Sequence, residues 1–505
     1  QVAEKPLRHP PELIPAARQA YAAYYLGLVT EKSPLLNGPE AAQTAAALRQ
    51  ELDNIREAWQ TAVHQLDLPL IAQTAEPIVE FFVHIGLNYE IEKRISDALV
   101  ALKTGGAESS EQLLMLLELL ILDLKRHYER PDLFEASFEP IMDRLQNWEN
   151  PLALPYRARA VFYHSHALAE GGHAEKAVAQ CELALALAYQ INQPIHLGFV
   201  LCQRAFYHYK ERELQKALDA LNSAALLFEQ EGHLKGMSRV EDKLAPSYAE
   251  NGNYWQALVH DKKALALYQQ LGDERMIPRG HQGVGLSSVI LGDYQQARYH
   301  FNQAIKLSQK ISHESGVKGG LGGLAEVEFL EGNLEEAKRL YQICIARRLE
   351  DKEYVRFCFE GSDMVRMLWR SREYEEAAAL NEEILGWVHK FGNQTDIQMA
   401  QATQALILWE LGQNEQAVDI LETIWPNIDP YSLAEPVKTL SDIYSVFDRA
   451  NHPQTKAVIN VAYQVVSKLA DDIPDPALQA MFLQNVPYCR WLAAGFKKYQ
   501  LLETP

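Results

Sequence analysis

Cysteine is scarce in this chain. There are five in 505 residues, Cys181, Cys202, Cys344, Cys358 and Cys489, and no two form a Cys-x-x-Cys pair. That excludes a disulfide scaffold and a cysteine-based zinc site, and it leaves the thiols as small buried hydrophobes of a reducing, cytoplasmic compartment. Positive charge is also short: 48 Lys and Arg stand against 67 Asp and Glu, a formal net charge of −19. Non-specific nucleic-acid binding needs a basic face to displace counterions, so direct nucleic-acid binding is excluded as a class. No apolar run approaches the roughly 18 residues that span a bilayer, so no membrane segment is expected. The strings that carry chemistry are missing too. No G-x-x-x-x-G-K-[ST] phosphate loop, no H-E-x-x-H, no G-x-S-x-G and no kinase motif occurs. The histidines scatter, and His164 and His166 would point to different sides of one helix. No catalytic residue, metal ligand or cofactor is therefore assigned, and an enzyme is not expected.

What is present is enough apolar material for a large core, with 48% hydrophobic and 23% charged residues. Residues 1–11 are polar, hold three prolines and have no apolar stretch of a signal peptide. With Gln1 in first place, the expectation is a piece from the C-terminal side of something longer.

A repeat decides the architecture. A short string of a turn residue, four further residues and Ala returns as GHAEKA (172–177), RELQKA (212–217), GNYWQA (252–257) and GDYQQA (292–297). It continues as GNLEEA (332–337), REYEEA (372–377), GQNEQA (412–417) and HPQTKA (452–457), so the eight anchor alanines step by 40 residues without exception. Twelve places earlier stand Ser165, Ala205, Ala245, Gly285, Ala325, Val365, Ala405 and Ser445. Seven places later stand Ala184, Ala224, Ala264, Ala304, Cys344, Ile384, Ile424 and Gln464. Small residues at fixed places on two helices let the backbones approach where ridges pack into grooves. The Gly between them suits a left-handed cap, and the Asn or Asp after it suits the start of the second helix. In one copy the spacing predicts helices over 279–291 and 294–310. Such a unit cannot bury both faces alone, so copies stack. Acidic pairs such as Glu335/Glu336 and Glu375/Glu376 then fall on solvated outer faces.

The small residue of the first helix, the Gly/Tyr turn and the Ala of the second helix resemble tetratricopeptide repeats (TPR), with Phe301 and Tyr341 at that family's large position. The unit is longer than the family's basic form, and the usual closing Pro does not recur. The resemblance covers residues 157–470, and a looser unit at 113–148 has Ala136 at the anchor place. It implies an all-α, right-handed TPR superhelix, an α-solenoid of about nine helix–turn–helix units. Strings over 17–29, 48–63, 78–102 and 480–494 are similar to segments of bacterial STAND proteins, the signal-transduction ATPases with numerous domains. There they flank a TPR array that follows a winged-helix part. This second resemblance implies a helical connector (1–110), a TPR array (111–475) and a C-terminal capping helix and tail (476–505). It further implies a sensor domain without its ATPase module, of the kind found in LuxR-type regulators. Its partners would be a protein, peptide or small-molecule ligand and the intramolecular ATPase. A stand-alone scaffold that assembles partner proteins is the alternative.

The expected binding surface is the concave face, lined by first-helix residues 18, 15, 14, 11 and 8 places before the anchor. There Arg239, Asp242, Lys243, Arg279 and Gln282 form one candidate group and Arg366, Trp369 and Arg370 another. Arginines in an inner column could clamp a carboxylate or phosphate, or they could pair with Asp242, Glu241 and Glu250. The run GVKGGLGGL at 316–324 leaves two readings open. Helical Gly costs up to about 1 kcal/mol relative to Ala, so it serves either close helix packing or a place where a ligand meets backbone or the array flexes.

Overall fold

A computed structural model describes residues 13–104, 111–125, 131–170, 173–210, 213–311, 313–351 and 353–501. The turn positions Gly172 and Arg212 and the segment 1–11 lie outside the described residues. Among those described, every regular element is helical. Five helices come first: α1 (Leu13–Lys32), α2 (Ala41–Gln50), α3 (Leu52–His64), α4 (Leu68–His84) and α5 (Asn88–Thr104). A looser pair follows, α6 (Glu111–Lys125) and α7 (Pro131–Asn147). The repeat pairs are α8/α9 (Ala153–Glu170, Ala174–Ile191), α10/α11 (Pro194–Lys210, Leu214–Gln230), α12/α13 (Leu234–Glu250, Tyr254–Leu271) and α14/α15 (Met276–Ile290, Tyr294–Lys310). They continue as α16/α17 (Glu314–Glu331, Leu334–Glu350), α18/α19 (Tyr354–Arg370, Tyr374–Phe391), α20/α21 (Gln394–Glu410, Asn414–Ile424) and α22/α23 (Pro436–Arg449, Thr455–Asp471). The described chain ends with α24 (Pro476–Asn485) and α25 (Pro487–Leu501). It is an all-α helical-repeat solenoid of the TPR kind.

The small-residue columns pack as their spacing demands. Anchor alanines Ala177, Ala217, Ala257, Ala297, Ala337, Ala377 and Ala417 are buried, as is the whole column twelve places earlier. The eighth unit departs. Ala457 and Gln464 are exposed, and their neighbours Val458 and Val465 are buried instead. The reason is where the helix begins. Each earlier second helix starts three residues before its anchor, but α23 starts at Thr455, one residue late, after the turn that holds Pro453. A shift of one residue turns the buried face by about 100° and moves the column to the next residue. Ala136 is likewise exposed, and α7 packs through Phe134, Phe138 and Ile141.

The turn column behaves as a left-handed cap at Gly252, Gly292, Gly332 and Gly412, all with positive φ. Arg372 takes the same place at φ 65° and is exposed. A second column between repeats was not anticipated: Asn192, Gly232 and Gly272 also have positive φ, again 40 residues apart. Asn253 and Asp293 cap the second helices by accepting from the backbone N–H of Gln256 and Gln296, both at 3.1 Å. Asn333 does not; its amide donates to Glu328 at 2.7 Å.

The glycine run is a packing device. A Cβ on Gly285 would come within 2.7 Å of the Phe301 ring, and one on Gly323 would overlap the same ring. On Gly320 it would meet Ile305 at 2.5 Å, on Gly319 Gln282 at 3.0 Å, and on Gly322 Glu360 at 2.9 Å. Side chains of α14, α15 and α18 fill the space that α16 leaves empty.

Contacts divide the chain into two compact units. The first runs to Val240 and includes Ala266–Arg275; the second comprises Glu241–Leu265 and resumes at Met276. In the first, Arg49 of α2 grips Glu274 with two nitrogens at 2.8 and 3.1 Å, and a Cβ on Gly272 would lie 3.0 Å from Ala42. In the second, one core runs through α14–α20, and another joins α13 and α14 to α20–α25. Asn485 donates to the Gly292 carbonyl at 2.9 Å, and Phe482, Cys489 and Leu492 are buried beside Tyr254 and Leu258. The C-terminal helices thus close back on the α14/α15 turn.

Three substitutions test these local constraints. Gly323→Ala should destabilise by about 1–3 kcal/mol despite its better helix propensity, and Phe301→Leu should recover part of the loss. Arg372→Gly should stabilise by about 1 kcal/mol by removing a left-handed non-glycine residue. Denaturant unfolding of each variant reads both.

Candidate binding face

The first helices of the second unit are buried on most sides and keep one exposed stripe. On α14 only Arg279 and Leu286 are exposed, two turns apart, with side-chain exposure of 47% for Arg279 and 46% exposure for Leu286. On α18, Val355 (52%) and Phe359 (51%) are exposed one turn apart, and Arg356 and Arg370 are exposed as well. Arg279, Gly319 and Phe359 hold the same place in three consecutive repeats. Their helices pack side by side, since Gln282 donates to the Gly316 carbonyl at 2.7 Å and Glu360 covers Gly322. The stripe therefore carries a cation, a missing side chain and an aromatic ring in succession.

Among the sequence-derived candidates, Asp242 and Arg279 come together. Arg279 donates from Nε and Nη2 to both Asp242 oxygens, at 2.8 and 3.1 Å. The alternative of internal pairing is thus realised, and an incoming anion would share this pair. Gln282 spends its amide on Gly316, and Lys243 is half-buried on α12. Arg239 is half-buried on the part of α12 that falls in the first unit. Nearby, half-buried Asp261 of α13 accepts from Ser287 at 2.5 Å; desolvation, with Asp242 adding to it, pushes its carboxyl up to about 7. In the first unit the inner-column Arg159 is tied to Glu76 of α4.

The second candidate group is not an open surface. Arg366 is 3% exposed. It donates to Glu435 at 3.1 Å and to Asp442 at 3.3 Å, and Asp363 lies at 3.9 Å. Beside it Lys438 holds three carboxylates, Asp363 and Glu435 at 2.7 Å and Glu326 at 3.0 Å. Thr403 donates to Asp442 at 3.0 Å. Helix α22 is buried along nearly its whole length, and it and the residue before it close over Arg366 of α18. Trp369 is half-buried between the two cores, and Arg370 is exposed, lying over the Phe329 ring at 5.8 Å and donating to its carbonyl at 3.3 Å. Sequence reasoning missed Lys438, Glu435 and Asp442: Asp442 stands in an inner column, 15 places before Ala457, while Lys438 and Glu435 fall outside those columns.

Burial raises the Asp363 carboxyl to about 7, with Glu326 and Glu435 adding to it against Lys438 and Arg366. Burial also works against ionisation of Glu435, but Lys438 and Arg366 outweigh it and hold that carboxyl at about 2. Among the described residues, no group of three or more His, Cys, Asp or Glu is placed to hold a metal ion. None of the described helices is long and apolar enough to cross a membrane. Breaking the network from one side is costly: Arg366→Met should destabilise the protein by about 3–5 kcal/mol, read by denaturant unfolding, because it strands Asp442 without its cation.

No protein family is matched by the chain as a sequence, and no curated protein matches it. Solved structures do. The chain is similar to a Rap protein complexed with competence and sporulation factor, at 14% identity and TM-score 0.55, over 71% of this chain and 99% of that one. It is similar to NprR in complex with its cognate peptide NprX, at 12% identity and TM-score 0.50, over 72% of this chain and 99% of that one. A third match is a STAND protein with a tetratricopeptide repeat sensor from Pyrococcus horikoshii, at 13% identity and TM-score 0.47, over 70% of this chain and 53% of that one. At these identities the shared property is the fold, a helical-repeat solenoid of the TPR kind.

Proposed function

We propose that this chain is a non-enzymatic protein- or peptide-binding repeat domain whose ligand lies on the inner face of the second unit. The observation that carries the proposal is the exposure of Arg279, Leu286, Val355 and Phe359 on helices α14 and α18, whose other residues are mostly buried or half-buried. Apolar side chains left exposed together on rigid elements mark binding surfaces more often than scattered ones do. Repeat proteins present such faces as extended grooves. Two solved structures of this fold, the Rap protein and NprR, were obtained with a bound factor or peptide. Asp242, Lys243 and Gln282 border the stripe as polar contacts, and Arg239 is retained as a separate candidate on the first unit. The same reading assigns 1–110 as a helical connector, 111–475 as the array and 476–505 as its cap. It places the domain as the sensor of a cytoplasmic STAND-type regulator. Ligand binding would then control an attached ATPase by favouring one conformation of the array.

Panning a displayed random-peptide library against the purified chain tests the binding face. Peptides selected on the parent should bind Phe359→Ala or Arg279→Glu at least tenfold more weakly, by fluorescence anisotropy. Equal binding to parent and both variants would remove this face from the account.

A further inference from the structure

The network beneath α22 holds more carboxylates than cations. Glu326, Asp363, Glu435 and Asp442 are four potential negative charges, and Arg366 and Lys438 are two positive ones. Fully ionised, the cluster would carry −2 in a region from which water is largely excluded, and isolated buried charge is the most expensive group a protein can hold. Every element packed there contributes a group. α16 supplies Glu326, α18 supplies Asp363 and Arg366, and α22 with the residue before it supplies Glu435, Lys438 and Asp442. The Tyr341 hydroxyl of α17 and the Tyr488 hydroxyl of α25 also face it, Tyr341 buried and Tyr488 half-buried.

We infer that this cluster is a proton-linked latch: one proton, taken up on Asp363, holds α22 against α16 and α18, and its release loosens that contact. Asp363 is the receiving group by position. It shares the Lys438 ammonium with Glu326 and Glu435 and meets its second cation, Arg366, only at 3.9 Å, so two neighbouring carboxylates act on it. Glu435, bound to both cations, stays ionised. The direction follows from linkage. The folded carboxyl holds its proton to about pH 7 and the released one only to about 3.8, so the latch is strongest at low pH. It weakens as pH rises through this interval and levels off above about 7. Loosening α22 would uncover Arg366, over which it now closes. The inference stands apart from the peptide reading, because it concerns only the hold on α22.

Hydrogen exchange of the α22 amides in the full chain tests it, corrected for intrinsic exchange rate. Between pH 6 and pH 8 the opening constant of α22 should rise about tenfold in the parent. It should be flat in Asp363→Asn, which keeps shape without the titrating proton. Glu326→Gln removes a like charge, so Asp363 should release its proton at lower pH and the rise should fall well below tenfold. Asp261→Asn, which alters a raised carboxyl of this unit outside the cluster, should leave the α22 response intact. A parent whose α22 opening is the same at both values overturns the latch. So does an Asp363→Asn or Glu326→Gln protein that keeps the parent's tenfold rise.

Discussion

The close approach of paired helices is the constraint on which the rest of this molecule depends. Residues with little or no side chain at three fixed places per repeat allow backbones to nest, and the nesting fixes which face of each helix is buried. The same rule explains the glycine run. Phe301 projects from α15 into space that Gly285 on α14 and Gly323 on α16 leave open, so one ring is locked between two helices. Weak helix propensity along 316–324 is offset by contacts that a larger residue would prevent. With most of each first helix consumed by packing, only a narrow stripe is left to meet anything else.

The second constraint is electrostatic. The chain carries −19 overall, and the imbalance reaches into the interior, where four carboxylates share two cations beneath α22. On an outer helix an extra carboxylate is solvated and costs little. In the interior it must be paired or take a proton. The C-terminal helices are therefore held by two unlike forces: apolar burial of Phe482, Cys489 and Leu492, and a charge cluster whose balance depends on proton occupancy.

Much of this was legible in the sequence, because a 40-residue period converts local steric rules into columns. The first seven anchors, the turn glycines and the two helices per unit follow from the columns. The eighth unit did not follow, because the period counts residues and packing counts from the helix start. The late start of α23 at Thr455 moved the buried face to Val458 and Val465. The second positive-φ column at Asn192, Gly232 and Gly272 was readable as a Gly/Asn spacing but coincides with no anchor string. At the candidate face, Arg279 and Asp242 were found by their column. Arg366 was in the right column, but its accessibility was decided by α22, some 70 residues on, which no periodicity reports. Phe359 stood in the inner column as well; only its exposure set it apart from its buried neighbours.

Photo-crosslinking tests the central claim most directly, that ligands meet the exposed inner stripe of the first helices. A photoreactive amino acid would be placed singly at Leu286 or Phe359, and at the exposed outer positions Gln295 and Glu336 as comparison. Each protein would be irradiated with a peptide selected against the parent chain. The account predicts crosslinks from the two inner positions and none from the outer ones. Crosslinks confined to the outer second helices would contradict it.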